Sequence, residues 1–384
     1  MTKTSFCHYF NEMLCGSCTW IELSYEAQVA RKEKTLTEAL SFFGEITLEE
    51  SKHSPPVGFR NRAKLAVLGT SEKSVIGLVG DDHLDQGQEL LSCPIHNPQI
   101  NELIEKLPAY ISEFNLIPYV IAERKGELKG LIIFYSAQAN EMYLRFVLRS
   151  QECVSRLRKL RPKLQREFPH LVCVTANIQP VPHAILEGKE EIFISERKSI
   201  RHQLGKISFE LSPHGFVQTN SHVAQALYET AARWVGEAQA EKLLELYSGQ
   251  GAFSFFCATQ VPQILGIEIN PDSILTANQS AAALGLKNVR FQCLGTERSE
   301  AITLDFNPDL ILTNPPRRGM GESVELILKA KPKDFLYSSC SQLTLATDLK
   351  ILAKEYVLHR TKLFDMFPHT EHFETLVWLK RKAL

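Results

Sequence analysis

Two side chains near the end of the chain have the types and positions needed for covalent chemistry. Cys340 follows the apolar run DFLYSS (334–339), and Glu374 lies at the start of a last apolar run. A lone cysteine is usually a small buried hydrophobe. At the carboxyl end of a parallel strand it would instead face the ligand edge of the sheet, and a helix N-terminus near Thr344 would lower its pKa. If the last strand is antiparallel, it begins at that edge and Glu374 lies near Cys340.

A second group of residues is suited to binding a nucleoside. The run KLLELY (242–247) ends in Tyr247 and a turn with Gly249 and Gly251, and the next apolar run ends in Glu268 about 20 residues later. Glycines let the backbone turn tightly beside a ligand, and an acid at this position typically accepts hydrogen bonds from ribose hydroxyls. The turn has no three-glycine fingerprint and no Walker lysine. This disfavours NAD and ATP and favours S-adenosylmethionine.

The loop NPPRRG (314–319) follows a further apolar run and places Asn314 at the same edge. Its two prolines fix a rigid loop. The comparable loop of amino-methyltransferases ends in an aromatic residue, but Arg317 stands there in this chain, which disfavours amine methylation. A cysteine beside a methyl donor suggests methylation of pyrimidine C5 instead. A thiolate that adds to C6 makes C5 nucleophilic, and a base must then remove the C5 proton.

Four further cysteines form a separate group of soft metal ligands, and they are Cys7, Cys15, Cys18 and Cys93. A Cys-x-x-Cys pair with two more thiols is typical of zinc or an iron–sulfur cluster. The alternatives are a redox dithiol or unrelated buried thiols. Proline directly after Cys93 favours iron–sulfur, although spacing alone does not decide between the metals. The remaining cysteines fall in apolar segments and are expected to be packing residues: Cys153, Cys173, Cys257 and Cys293.

The elements that must position these residues follow two patterns. Residues 22–43 have the apolar spacing of a helix. Alternation predicts strands at 142–148, 171–178 and 191–195, and the cationic segment 155–166 has leucines at helical spacing with a break or kink at Pro162. After about residue 205, short apolar runs alternate with helical segments, which predicts a parallel sheet flanked by helices. These runs cover 242–247, 263–269, 288–293, 308–313 and 334–339, with a helix over 271–286.

The composition limits the class of protein. The chain has 384 residues, 44% hydrophobic and 23% charged, with a net charge of -1, so it is globular and not a polycation. No apolar run is long enough to span a bilayer and no signal peptide is evident, so we expect a cytoplasmic protein with no membrane partner. Nucleic acid would have to bind a local basic patch. Candidates are 155–166 and the run Arg60, Arg62 and Lys64.

Taken together, these motifs resemble the RNA uracil-5 methyltransferases, and most closely the type that acts on 23S ribosomal RNA. Besides the early cysteines, the resemblance rests on segments in the same order along nearly the whole chain: GFRNRAKL (58–65), ERKGELKGLII (123–133), RFVLRS (145–150), ANIQP (176–180), GFVQTN (215–220), NPPRRG (314–319), YSSC (337–340) and DMFPHTEHFE (365–374). The glycine turn departs slightly from that of relatives. Many relatives also begin with an oligonucleotide-binding TRAM barrel, for which there is no room before Cys7.

The resemblance implies a fold and a set of roles. The fold is α/β, with a Rossmann-like class I methyltransferase domain over 206–384, a smaller central α+β domain over 55–205 that contacts RNA, and an N-terminal iron–sulfur segment over 1–54. Cys340 would be the nucleophile and Glu374 the base. S-adenosylmethionine would be held by Gln218, Tyr247, Glu268 and Asn314, and a [4Fe-4S] cluster by Cys7, Cys15, Cys18 and Cys93.

The substrate and the alternatives follow from the same motifs. We expect methylation of a uridine of 23S rRNA by a monomeric enzyme, with tRNA as the nearest alternative substrate. RNA cytosine-C5 methylation is disfavoured because those enzymes carry a Pro-Cys nucleophile where this chain has NPPRR. A non-enzymatic, RNA-binding iron–sulfur protein would leave the placement of Cys340 and Glu374 unexplained.

Overall fold

The structure is a computed structural model in which we describe residues 5–79, 87–181 and 187–383. The chain forms two compact units. The first contains residues up to Ser17, 57–203 and 211–213, and the second contains 18–56, 204–210 and 214–384. Among the described residues, no helix is both long and apolar enough to cross a membrane.

Helices and strands of the described residues are numbered in chain order. The helices are α1 (His8–Asn11), α2 (Tyr25–Leu40), α3 (Pro98–Glu113), α4 (Val154–Glu167), α5 (Ser221–Ala238), α6 (Ala252–Cys257), α7 (Pro271–Ala283), α8 (Glu300–Phe306), α9 (Val324–Ala330) and α10 (Gln342–Leu352). The strands are β1 (Glu49–Lys52), β2 (Arg62–Gly69), β3 (Ser74–Val79), β4 (Gly87–Glu89), β5 (Leu128–Ser136), β6 (Glu141–Leu148), β7 (Leu171–Ile178), β8 (Glu190–Phe193), β9 (Ile200–Leu204), β10 (Ile207–Leu211), β11 (Lys242–Leu246), β12 (Gln263–Glu268), β13 (Val289–Cys293), β14 (Leu310–Thr313), β15 (Asp334–Ser339), β16 (Tyr356–Phe364) and β17 (Glu374–Arg381). Short 3-10 turns cover Ser41–Phe43, Thr296–Arg298 and Gly321–Ser323.

The second unit is built on an eight-stranded sheet with the order β1-β16-β17-β15-β14-β11-β12-β13. Strands β11 to β15 run parallel, and β17 lies antiparallel between β15 and β16. The order reverses at β11, which pairs with β12 on one side and β14 on the other. Connections leave such a point in opposite directions, so a crevice opens at the carboxyl ends of the strands.

The predicted parallel strands are confirmed. All five apolar runs form strands, with ends within two residues of those expected. Such runs are easy to identify because parallel strands covered on both faces are almost continuously apolar. Apolar side chains of the strands form one core on each face of the sheet. The predicted antiparallel last strand is also confirmed, so β17 begins at the edge where β15 ends.

The predicted N-terminal helix belongs to this second unit. Helix α2 begins after Ser24, whose side chain accepts a hydrogen bond from the Ala27 amide. Leu36 and Leu40 are buried in the core that contains β15 and β16, and β1 pairs in parallel with β16. The structure therefore divides the chain differently from the segments 1–54, 55–205 and 206–384, because residues 18–56 complete the larger sheet.

The first unit contains a seven-stranded sheet with the order β4-β3-β2-β5-β6-β7-β8. Its core includes apolar side chains of α3 and α4. The predicted strands at 142–148 and 171–178 are confirmed as β6 and β7. Helix α4 continues through Pro162 as one element, although the ring removes a backbone donor there.

Two expectations about single residues change with the structure. Cys293 is not a packing residue, because it is exposed at the end of the edge strand β13, whereas Cys153, Cys173 and Cys257 are buried. In the first unit, Arg62 is buried and lies 3.8 Å from Glu187, which also pairs with Lys64 and Arg145. Arg62 is thus enclosed in an ion network, which reduces its availability to a phosphate, whereas Lys64 pairs with Glu187 from an exposed position.

Candidate active site

A cavity of about 630 Å³ lies at the carboxyl edge of the larger sheet. It opens where the strand order reverses, between the turn after β11 and the loop after β14. This is the position where open α/β sheets bind ligands. The structure brings six of the residues selected from the sequence to its wall, and they are Gln218, Tyr247, Glu268, Asn314, Cys340 and Glu374.

Cys340 and Glu374 lie close enough for the charge of Glu374 to affect the Cys340 thiol. Cys340 follows β15 and Glu374 begins the neighbouring antiparallel strand β17. Burial raises the pKa of the Cys340 thiol, and the negative charge of Glu374 raises it further. The guanidinium of Arg317 acts in the opposite direction, because it hydrogen-bonds the sulfur and its positive charge favours the thiolate.

Glu374 is a buried carboxyl group with two hydrogen-bond donors. Its side chain is 1% exposed, and its Oε1 accepts from Ser338 Oγ at 2.5 Å and from Asn314 Nδ2 at 2.8 Å. Burial raises the pKa of Glu374 to about 7, while these two hydrogen bonds act in the lowering direction. A carboxyl group with this pKa can gain or lose a proton near neutral pH, as a general base must.

Asn314 connects the acid to the neighbouring strand. Its Nδ2 also donates to Ser338 Oγ at 2.7 Å and to the Ser338 carbonyl at 3.2 Å. The loop after Asn314 is held against α10, because the Met320 amide donates to Asp348 Oδ2 at 2.8 Å and Tyr337 Oη donates to the same oxygen at 2.7 Å. This arrangement fixes the loop that carries Arg317.

The turn after β11 is tight and is fixed to the neighbouring strand by Glu268. Tyr247 has a φ of 57° and Gly249 a φ of 54°, both in the left-handed region that a side chain rarely adopts. Glu268 Oε2 accepts from the Gly249 amide at 3.0 Å, and its Oε1 accepts from the Asn270 amide at 2.9 Å. The acid therefore joins the glycine turn to the start of α7 and remains at the cavity wall.

Gln218 lies on a loop that sequence patterns did not single out. It is buried at 4% exposure, whereas Phe216 two residues earlier is 64% exposed, and both line the cavity. A Cβ atom at Gly215 would lie 1.0 Å from Gln250 Nε2, so any other residue at this position would require the Gln250 side chain to move. Gln218 was predicted only from the family resemblance, because a polar residue in a loop has no hydrophobic periodicity from which it could be identified.

Two residues at the site, the acidic Glu245 and the polar Ser338, were not predicted from the sequence. Glu245 lines the cavity from within β11, and burial raises its pKa to about 8, opposed by hydrogen bonds from Ser254. Ser338 was overlooked as part of an apolar run. An acid inside an otherwise apolar strand, two residues before Tyr247, was the available signal for Glu245.

Three of the four predicted metal-binding cysteines lie in the first unit. Cys7 is buried there, and Cys15 and Cys93 are partly exposed. Burial raises the pKa of Cys93, and the nearby thiolates of Cys7 and Cys15 contribute to that increase. Cys18 is the first residue of the second unit. In the part of the chain that the structure describes, no three or more Cys, His, Asp or Glu side chains are arranged to hold a single metal ion.

The strand order, the cavity at its reversal and the cysteine beside a buried acid define an α/β enzyme of the class I methyltransferase type. A solved structure shares this fold: the tRNA (uracil-54, C5)-methyltransferase of Pyrococcus abyssi, in complex with S-adenosyl-L-homocysteine, is similar with a TM-score of 0.77 and 24% identity, over 95% of this chain and 86% of that one. A profile of the family described as tRNA (Uracil-5-)-methyltransferase matches residues 24–382. The chain belongs to this family.

Sequence relatives share almost their full length with this chain. The 23S rRNA (uracil(747)-C(5))-methyltransferase RlmC of Proteus mirabilis is 39% identical over 366 residues, which is 95% of this chain and 96% of the relative. RlmC of Actinobacillus succinogenes is 38% identical over 385 residues, covering 98% of this chain and 100% of the relative. The class I methyltransferase fold and the membership of a uracil-5 methyltransferase family, both expected from the motifs, are thus confirmed.

Proposed function

We propose that this protein methylates C5 of a uridine in 23S ribosomal RNA, with S-adenosylmethionine as the methyl donor. The observation that carries the proposal is the Cys340 thiol beside the buried Glu374 carboxyl group, in the same cavity as the glycine turn and Glu268. Full-length relatives named for 23S rRNA uracil 747 support the substrate. An enzyme that methylates ribosomal RNA would act in the cytoplasm.

Cys340 is proposed to start the reaction as a nucleophile. Its sulfur forms a bond to uracil C6, and the electron pair of the C5–C6 double bond moves to give a nucleophilic C5. Arg317 favours the thiolate form that this step needs, against the opposing effects of burial and of Glu374. S-adenosylmethionine supplies the methyl group, and C5 takes it with departure of the neutral thioether.

Glu374 is proposed to complete the reaction as the base. After methylation, C5 carries both the methyl group and a proton. Glu374 removes that proton, the C5–C6 double bond forms again, and the bond from C6 to the Cys340 sulfur breaks with the sulfur keeping the electron pair. The hydrogen bonds from Asn314 and Ser338 hold Oε1 in place, so the remaining oxygen is the one that can approach C5.

The donor is proposed to bind along the other wall of the cavity. Glu268, fixed by the Gly249 and Asn270 amides, has the position from which an acid contacts ribose hydroxyls. Tyr247 and Gln218 border the same space and are proposed to contact the donor, as is Asn314 from the loop after β14.

The experiment that tests the function maps 5-methyluridine in 23S rRNA and in tRNA from a strain lacking the gene. We expect loss of one methylated uridine in 23S rRNA, with the nucleotide equivalent to position 747 as the first candidate. Wild-type protein should restore it, and Cys340→Ala should not, although this variant should still bind S-adenosylmethionine. Loss confined to tRNA would make tRNA the substrate, and unchanged 5-methyluridine in both RNAs would refute the proposal.

We also propose that Cys7, Cys15, Cys18 and Cys93 hold a [4Fe-4S] cluster. The support is chemical: the set is four thiols, and Cys7 and Cys15 lie near enough to Cys93 to contribute to the raised pKa of its thiol. Iron–sulfur clusters are held by such thiolates. The reaction needs no electron transfer, so the cluster would stabilise the fold. Anaerobically purified protein should be brown and contain iron and sulfide, whereas a colourless protein containing zinc would refute the assignment.

A further inference from the structure

A buried ion pair lies beside the segment that leads into Glu374. Lys32 on α2 and Asp365 just after β16 are both 0% exposed, and Lys32 Nζ donates to Asp365 Oδ1 at 2.6 Å. Tyr25 Oη donates to the other carboxylate oxygen at 2.7 Å. Burial of two charges costs desolvation free energy that their attraction often does not recover, so a gain in stability does not by itself explain this pair. Its position in the molecule indicates another role.

The pair is adjacent to the proposed base in the sheet. Phe364 at the end of β16 is opposite Glu374 at the start of β17, and Asp365 is the next residue after Phe364. Segment 365–373 therefore forms the connection between these two strands. It also carries Phe367, which lines the cavity. The shape of this connection sets where both Phe367 and Glu374 lie.

Helix α2 holds this connection along its length. Lys32 Nζ also donates to the Phe367 carbonyl at 3.0 Å. Further along, His369 has a φ of 66°, which a residue with a side chain adopts only when its surroundings enforce it. Its amide donates to Gln28 Oε1 at 2.7 Å, and its Nε2 lies 2.7 Å from the Pro56 carbonyl.

The same contacts reach the loop that carries Gln218. Tyr25 Oη accepts from the Ser54 amide at 2.8 Å, and Ser54 Oγ accepts from Asn220 Nδ2 at 2.8 Å. Asn220 caps α5 by accepting from the Val223 amide at 3.3 Å. A continuous set of buried and partly buried hydrogen bonds thus runs from α2 to the segment that carries Phe367 and to Asn220, two residues after Gln218.

We infer that Lys32 and Asp365, supported by Tyr25, are positioning residues that hold Glu374 and Phe367 for the release of the methylated base. This inference rests on the proposed function. It differs from a role in folding because it predicts an effect on one step: proton removal from C5 should slow, whereas attack by Cys340, which follows β15, should not.

The experiment compares methyl transfer and product release in single turnovers with labelled S-adenosylmethionine and an RNA fragment. Removal of one charge alone could prevent folding, so the main variant is Lys32→Met with Asp365→Asn, which removes both charges and largely keeps the volumes. The matched control is Lys329→Met with Glu300→Gln, which removes an exposed ion pair of 2.8 Å elsewhere in the same unit. Thermal unfolding verifies that each variant is folded.

We expect methyl transfer to the bound RNA to stay close to the wild-type rate in the main variant. Breakdown of the covalent RNA adduct should slow by about 10- to 100-fold, because a small misplacement of a catalytic group has effects of that size. The adduct should then accumulate on denaturing gels. The control variant should show neither change.

The inference is overturned if the folded main variant releases product at the wild-type rate, or if both steps slow equally. If the main variant does not fold, Tyr25→Phe provides the test, because it keeps the ion pair and removes only the hydroxyl that donates to Asp365. Slower release in Tyr25→Phe supports the inference, and unchanged release overturns it. Failure of the proposed function would look different: the wild-type protein itself would form no covalent adduct.

Discussion

Replacement of Glu374 by glutamine is the most direct test of the proposed chemistry. Glutamine keeps the shape of the side chain and an oxygen that can accept from Asn314 and Ser338, at 2.8 and 2.5 Å in the native protein, so the fold should persist. It cannot take the C5 proton. General-base catalysis contributes about 10²- to 10⁴-fold, and the release of RNA from Cys340 should slow by that factor.

The pH dependence provides an independent measure of the same step. Because the pKa of Glu374 is raised to about 7, the carboxyl group is roughly one-tenth ionised at pH 6 and nine-tenths ionised at pH 8. Release in the wild-type protein should therefore rise with pH across this range. Ser338→Ala removes a hydrogen bond that lowers this pKa, so it should move the midpoint to higher pH.

The assay is a single turnover with labelled methyl donor, quenched into denaturant at several times. Denaturing gels measure the covalent complex and nuclease digestion measures 5-methyluridine. Glu374→Gln should form the complex and retain it at every pH, and Cys340→Ala should form none. Release by Glu374→Gln at the wild-type rate, or a wild-type release rate that is flat from pH 6 to 8, would show that another group is the base.

The remaining predictions concern the walls of the cavity and the surface. Because the pKa of Glu245 is raised from 4.5 to about 8 in the folded protein, the unfolding free energy of the wild-type protein should fall by up to about 1.4 kcal/mol per pH unit between these two pH values. Glu245→Gln keeps the contacts with Ser254 but cannot ionise, so this pH dependence should disappear. Denaturant titrations at several pH values measure it. Gly215→Ala should weaken S-adenosylmethionine binding in calorimetry, since the new methyl group must displace Gln250 from the cavity wall. Cys293→Ser, at an exposed position, should change the unfolding free energy by less than about 0.5 kcal/mol.

The sequence was sufficient to predict most of the larger sheet and the positions of the two proposed reacting groups. Buried parallel strands are uninterrupted apolar runs, so their ends and the residues just beyond them could be located, including Cys340. The position of Glu374 needed one assumption, an antiparallel last strand, which the structure confirms. Cys293 was misjudged because the edge strand β13 is covered incompletely, so an apolar neighbourhood in sequence did not mean burial there.

Other features depend on contacts that local patterns do not contain. Lys32 stands in the run RKEK, which looks like a solvated helix face, yet it is fully buried against Asp365, which is 333 residues away. Arg62 likewise looked available to RNA, but it is buried beside Glu187. In both cases the pairing partner, and not the residue's own segment, determines whether the charge faces solvent.

The charge of Glu374 acts on Cys340, and in the proposed mechanism this has a consequence for the order of events. The charge of Glu374 opposes ionisation of Cys340, so the thiolate forms most readily when Glu374 is protonated. When sulfur bonds to C6, its negative charge passes to the uracil, and that charge is neutralised when C5 takes the methyl group from the cationic donor. After methylation the opposition has ended, and Glu374 can lose its proton to solvent before it takes the one from C5. A pKa of about 7 suits this alternation, because at neutral pH both forms of the carboxyl group are populated.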